Sequence, residues 1–484
     1  MRHRKKNPQN APLIVQTPDK TGYADIWHIS WPQILMMGGH FLLGFVEVAV
    51  AGRLGEHVQA AVGMMTQCLF FFMIITVALG SGVVATLSQS LGMGLKDRAQ
   101  RYIWLSLEAG LALSLAIMLA GLLCKDYLLG ALNVPEDAMP VARTFIWIYL
   151  LLLPAHTILF IGSAIFRSHR KVFIPLYAMI IVTAVGIGCI FILGPGFWIF
   201  KGFGAEGLAW ATFISVHCGA VFIIIFLRRA GLLNTKLLPT RHWIKNAWQY
   251  IFKVSWPSGM SQLLWQGGFL VLFAITASLP NDKLIAVAGM SAGQRIEAIL
   301  FLPAIAFSMT ASVIVGELLG AGKPEAAKSA GWRVLGLGCA CISTCAAILW
   351  IFTEPASALS TDSEPVQGQV ISYLRYNLLA NPFVIISMIM SGIMTGAGAT
   401  TYSLVTFGLA TWVIRLPLAW LLGHMIYESS QGVFMAMLIS QIIQALIMLY
   451  LFQYSPWQRF SMRSKRHLKV NSLENKLEET NFKT

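Results

Sequence analysis

Ser30-Trp31-Pro32 returns as Ser255-Trp256-Pro257, and the reading of the whole chain works outward from that return. Gly92-Met93-Gly94 comes back as Gly320-Ala321-Gly322, Pro154 as Pro382, and Gly207 as Gly432. The spacings, taken in order from the Trp-Pro pair, are 225, 228, 228 and 225 residues. Ordered landmarks whose register drifts so little mark a duplicated unit of roughly 200 residues, too long for a solenoid repeat.

Each unit is mostly apolar. Of 484 residues, 56% are hydrophobic and 12% charged, whereas a soluble globular chain carries about 25% charged residues. Apolar runs near the bilayer-spanning length of about 20 residues recur along the sequence. They fall near 29–51, 60–87, 102–124, 142–166, 173–194, 206–227, 254–278, 284–314, 334–352, 370–393, 402–425 and 431–453. With no water in the bilayer core, each run must be a helix that satisfies its own backbone. The expected fold is therefore an all-α integral membrane protein with twelve transmembrane helices. Six per unit is an even number, so both units enter from the same side and form two parallel six-helix repeats, or lobes.

A net charge of +14 invites a nucleic-acid reading, but the placement of the charges argues against it. With the amino terminus cytoplasmic, 27 of the 35 Lys and Arg fall in the tails and loops of that side. The opposite loops are poor in them, and Glu354, Asp362 and Glu364 share one loop without any. This positive-inside pattern puts both termini in the cytoplasm. The membrane expected is the plasma (inner) membrane. No basic stretch carries interleaved stacking aromatics, so no nucleic-acid partner is expected. Arg2-His3-Arg4-Lys5-Lys6 reads as a topology anchor, since no short apolar region with a small-residue cleavage site follows it. The seven cysteines lie in or at the ends of apolar runs, without histidines at metal-ligand spacing, and read as packing residues.

The organisation expected is a basic tail over 1–24, a first lobe over 25–227, a basic linker over 228–244, a second lobe over 245–453 and a cytoplasmic tail over 454–484. The polar stretch Leu468 to Thr484 has the composition of a disordered segment. A substrate route would run between the lobes near the bilayer midplane.

Ionisable residues at membrane depth are costly, so they mark function or a specific structural partner. Glu47 stands between Phe41-Leu42-Leu43-Gly44-Phe45-Val46 and Val48-Ala49-Val50-Ala51, with no Lys or Arg within one helical turn. It is either a cation-coupling carboxylate, able to carry H+ or bind Na+, or a structural one bonded to a neighbouring helix. Glu297 and Arg295 lie mid-helix in Gln294-Arg295-Ile296-Glu297. Two residues apart on a helix they point about 200° apart and cannot pair with each other. For Glu297 a second coupling role and a structural ion pair both stand; Arg295 is a candidate for the cavity.

Under the repeat offset these charges face Gln67 and Leu69, so they break the internal symmetry. Arg415, in Val413-Ile414-Arg415-Leu416-Pro417, reads as a structural charge that balances a carboxylate or fixes a kink. His40 and His156 read as satisfied core histidines or proton carriers. Gln67, Gln262 and Gln266 are candidate cavity groups, as are the flexible thioethers Met64, Met388 and Met390.

These features resemble the multidrug and toxic-compound extrusion (MATE) family over nearly the whole chain, from about Trp27 to Gln453. The carriers are Trp31-Pro32, Val46-Glu47 leading to Gly52-Arg53-Leu54-Gly55, Gln89-Ser90-Leu91-Gly92-Met93-Gly94 and Gly316-Glu317-Leu318-Leu319-Gly320-Ala321-Gly322-Lys323. Gly293-Gln294-Arg295-Ile296-Glu297 and Gly396-Ala397-Gly398-Ala399-Thr400 complete the set. The resemblance implies an antiporter that expels small organic compounds in exchange for H+ or Na+, with no cofactor beyond that ion. It also implies that an acid in the first helix, five residues before a glycine, serves coupling; Glu47 stands five before Gly52.

Four features depart from the family's pattern. The seventh helix offers only Gln262 and Gln266 where some members carry an acid, and the tenth has no acid. The fifth lacks an Asn or Asp, and Arg167-Ser168-His169-Arg170-Lys171 stands where a glycine-containing turn is expected.

Two alternatives stand beside the antiporter. A flippase for a lipid-linked or other amphiphilic substrate would need a cationic cavity, for which Arg295, Arg375 and Arg415 are available. An integral-membrane enzyme would need a catalytic cluster, and no His-rich or paired-acid motif stands at the membrane face. The expected partners are small organic substrates and membrane lipid, and one duplicated chain is expected to work as a monomer.

Overall fold

The computed structural model describes residues 21–131, 134–197, 200–281 and 283–462. The basic anchor Arg2–Lys6 and the polar tail Leu468–Thr484 lie outside the described residues. Among the described residues, twelve helices are long and apolar enough to cross a membrane. The first lobe carries Tyr23–Leu54, Glu56–Gly92, Lys96–Gly130, Glu136–Ser168, Phe173–Leu193 and Ala205–Arg229 as spans one to six. The second carries Arg241–Ala277, Lys283–Gly320, Pro324–Ile351, Glu364–Ala397, Thr400–Ile426 and Ser430–Tyr454 as spans seven to twelve. A short helix, Thr353–Ser360, and a two-stranded antiparallel turn of Gly196–Phe197 with Phe200–Lys201 fill loops.

Several spans are longer than the apolar runs suggest. The second and seventh have 37 residues, about 55 Å at 1.5 Å per residue, against a hydrocarbon core of about 30 Å. Hydropathy marks the part in lipid, and the helices continue beyond it into water. Many large apolar side chains, among them Phe45, Leu123, Leu284 and Ile351, are exposed on the outside, as a lipid-facing surface requires.

Odd-numbered spans leave the face that carries both ends of the bundle, here called the terminal face, and even-numbered spans return from the far face. The sequence repeat is visible in the turns on the terminal face. Gly94 and Gly322 both have positive φ, 72° and 75°. Each turn closes with the same pair of bonds: Gly94 N–H to Leu91 C=O and Leu95 N–H to Ser90 C=O in one, Gly322 to Leu319 and Lys323 to Leu318 in the other. This is a helix stop that left-handed glycine permits without Cβ strain.

The buried apolar side chains form two cores, one per lobe, with a reciprocal exchange at the terminal face. Ile26 and Ile29 of span one belong to the second core. Ile251 and Val254, their equivalents at an offset of 225, belong to the first. Each lobe thus lends the start of its first helix to the other.

Candidate functional site

Three glutamates are buried among the described residues: Glu47 in the first lobe, and Glu297 and Glu317 on span eight of the second. Glu47 and Glu297 lie well inside the bundle. Span one carries Glu47 seven residues from its far end, about 10 Å of helix. Glu47 is 7% exposed, and its Oε1 accepts hydrogen bonds from the Tyr149 hydroxyl at 3.0 Å and the Thr212 hydroxyl at 3.2 Å. The donors come from spans four and six, so three helices converge on one oxygen. Tyr149 stands five residues before Pro154, the proline that interrupts the backbone hydrogen bonding of span four. No cation pairs with Glu47 among the described residues, and Oε2 has no hydrogen-bond partner there.

Span eight carries Glu297 fourteen residues from its far end, about 20 Å of helix and deeper than Glu47. It is 3% exposed, and its Oε2 accepts from the Tyr373 hydroxyl at 2.7 Å. Here a cation is near. Arg415 is 1% exposed and close enough to interact electrostatically with Glu297 and Tyr373, although no direct ion pair joins it to either carboxylate oxygen among the described residues. Its Nε donates to the Ser440 hydroxyl at 2.9 Å, and its guanidinium lies 5.4 Å from the Trp265 ring centre and 5.9 Å from that of Phe269. The backbone puts it there by leaving α geometry: Leu409–Arg415 is a π-helical stretch, followed by Pro417 and a second π-helical stretch, Leu421–Ile426. Wide turns of this kind rotate side chains away from the register that α geometry sets.

The other sequence candidates separate into surface and core. Arg295, opposite Glu297 on the helix, is exposed and has no hydrogen bond or ion pair among the described residues. Gln67 and Gln262 are exposed on spans two and seven, and Gln266 is half-buried. These two spans meet where Ser258 donates to Ser81 at 2.9 Å, and all three glutamines lie on the far side of that contact. Met64 and Met388 are half-buried against the first and second cores respectively. Met390 is fully buried in the second core. Its thioether therefore packs against neighbours and offers a cavity no surface in this arrangement. Tyr149, Thr212, Tyr373 and Ser440 were not singled out by sequence. The tyrosines left one signal, a hydroxyl-bearing ring within an apolar run; Thr212 and Ser440 left none.

Toward the terminal face the lobes are closed on each other. Gly82 to Ser90 of span two and Thr310 to Gly320 of span eight are continuously buried, and the two stretches match under the offset of 228. A Cβ on Gly92 would strike the Glu317 carbonyl, and one on Gly320 would strike that of Gln89. Gln33 and Ser30 of span one bond Thr310 of span eight at 3.0 and 2.9 Å. The backbones of spans two and eight cross in near contact, and glycine is what lets them.

The MatE family model matches this chain twice, over residues 32–192 and 257–421, so that each match starts at the proline of a repeated Trp-Pro. The chain belongs to the MATE transporter family. Its relatives include the probable multidrug resistance protein NorM of Thermotoga maritima, 24% identical over 88% of this chain and 91% of the relative. Another is the FAD transporter of Shewanella oneidensis, 24% identical over 86% and 92%. Among solved structures, the outward-facing conformation of a multidrug resistance MATE transporter superposes with a TM-score of 0.84 at 21% identity, covering 92% of this chain and 98% of that one. The fold of this multi-pass membrane protein is thus the MATE fold, and Glu47 and Glu297 lie one in each MATE lobe.

Proposed function

We propose that this MATE protein is a secondary antiporter that exports small organic compounds, often cationic or amphiphilic, in exchange for H+ or Na+. The observation that carries the reading is Glu47: a carboxylate at the meeting of three helices that, among the described residues, is bonded only to hydroxyls, with one oxygen unpartnered and no cation beside it. An ionised carboxylate in such a place is costly unless a cation reaches it. Binding H+ or Na+ removes that cost, so occupancy of Glu47 and the arrangement of spans one, four and six depend on each other. Glu297 serves as a second coupling group in the other lobe. A seam closed at the terminal face, with the exposed glutamines beyond it toward the far face, supports alternating access. The positive-inside distribution makes the terminal face cytoplasmic. The described conformation is then open to the outside, in the plasma membrane, and a single chain supplies both lobes.

The relatives' names support an organic substrate: one is called a multidrug resistance protein and another an FAD transporter. One observation favours a second reading, export of an anionic amphiphile. Arg295 is an exposed cation at membrane depth without a partner among the described residues. Dye efflux from vesicles carrying the protein, under separately imposed pH and Na+ gradients, tests the proposal. Efflux driven by one of the gradients supports the antiporter; efflux indifferent to both contradicts it.

A further inference from the structure

We infer that Arg170 and Glu317 form a latch between the lobes that holds the terminal face shut and must open in every transport cycle. The inference rests on the alternating-access reading above. Arg170 follows span four of the first lobe, and Glu317 lies near the end of span eight of the second. Arg170 Nε donates to Glu317 Oε2 at 2.8 Å, with the two side chains 21% and 2% exposed.

Three observations mark this pair as more than a surface bridge. The first is backbone conformation. Arg170 has φ of +57°, one of two non-glycine residues with positive φ among the described residues. Its equivalent at the offset of 228 is Gly398, with φ of +78°. The turns are otherwise the same: Arg170 N–H bonds Arg167 C=O and Lys171 N–H bonds Phe166 C=O, as Gly398 bonds Thr395 and Ala399 bonds Met394. Glycine takes this conformation without strain, whereas arginine takes it at a cost that the surroundings must hold in place. What arginine adds is the guanidinium that reaches the other lobe.

The second is reciprocity. The equivalent of Glu317 in the first lobe is Gln89, which also crosses the seam. Gln89 Nε2 donates to the Gly396 carbonyl at 2.7 Å and the Tyr250 hydroxyl at 3.2 Å, and its Oε1 accepts from the Met462 N–H at 2.8 Å. Tyr250 occupies the space beside Gly398, where a side chain would collide with it. The seam therefore has a neutral latch on one side of the pseudo-axis and an ionic latch on the other. Both flank the Gly92–Gly320 crossing.

The third is incompleteness. Only one of the two bonds of a forked arginine–carboxylate pair is made. Arg170 Nη2 and Glu317 Oε1 are buried without hydrogen-bond partners among the described residues. A permanent cross-link would gain from the bidentate geometry. A single bond with an orphan on each side closes the seam and still lets it part.

The test is hydrogen–deuterium exchange on the full-length protein in lipid nanodiscs, read at residues 86–96 and 312–323, with melting temperature as the folding control. Glu317→Gln installs the residue of the other repeat, and Arg170→Gly installs the glycine of the equivalent turn. Each is expected to speed exchange at these two segments roughly tenfold, because opening there governs their protection. Residues 43–54 near the far face should keep their wild-type rates. Arg170→Lys retains the charge and should stay within about threefold of wild type. The latch is overturned if folded Glu317→Gln and Arg170→Gly proteins exchange at wild-type rates, or if Arg170→Lys is as fast as Arg170→Gly. Dye efflux by the wild type is measured beside it. Its absence would remove the transport reading, while exchange would still report whether the pair closes the seam.

Discussion

Glu47 and Glu297 are the same device set in two electrostatic surroundings. Each is a buried glutamate that accepts a hydrogen bond from a tyrosine of the span carrying the repeated proline. Beyond that they part. Glu47 has a second hydroxyl and, among the described residues, no cation; Glu297 has one hydroxyl and the buried Arg415 close by. A carboxylate near an arginine has part of its charge balanced within the protein, whereas one held by hydroxyls alone has no such balance until a proton or cation reaches it. Under the proposed antiport, exchange with solution falls first to Glu47, and Glu297 has a role tempered by Arg415.

The largest effect is therefore expected from Glu47→Gln, which mimics a permanently neutral carboxyl. Gradient-driven dye efflux should fall by about a hundredfold or more, while the protein inserts and melts as the wild type does. Glu297→Gln should lower efflux by roughly tenfold and also destabilise the fold, because it leaves Arg415 buried and uncompensated. Adding Arg415→Met to that variant should return most of the lost melting temperature; a double mutant less stable than either single variant would break the proposed pairing.

Next come the tyrosines. Tyr149→Phe and Tyr373→Phe each remove one hydrogen bond to a carboxylate, worth about 1.5–3 kcal/mol when the acceptor is charged. The effect on efflux should be greater at Tyr149, whose acceptor has no cation to fall back on. Thr212→Val should be the mildest, a few-fold at most, since its 3.2 Å bond is the longer of the two to Glu47. Equal effects of the two tyrosine changes would remove the distinction between the lobes.

The duplication, the twelve spans and both glutamates were legible in the sequence, since apolar length and a charge within it are local properties. The helical geometry that separates Arg295 from Glu297 is likewise local, and one is exposed and the other buried. The partners were not legible, because they come from other helices. Repeat alignment even misdirects here, as the 228 offset sets Tyr149 against Asn377, one turn from Tyr373. The second lobe reaches a similar pairing from a different register, with its acid on span eight and not on span seven, the counterpart of span one. Met390 illustrates the opposite limit. A methionine in a span has the same sequence signature whether it lines a cavity or fills a core, and only packing separates the two.

The Arg167–Lys171 departure from the family pattern was visible as a missing glycine. Its meaning appeared only when Arg170 was found at the left-handed position, facing Glu317 across the seam.

The most direct measurement compares wild type, Glu47→Gln and Glu297→Gln in sealed vesicles, recording dye accumulation against an imposed ion gradient and dye–dye exchange without one. Coupling through Glu47 predicts that Glu47→Gln loses accumulation yet keeps exchange, and that Glu297→Gln retains part of both. Full gradient-driven accumulation by Glu47→Gln would contradict the account.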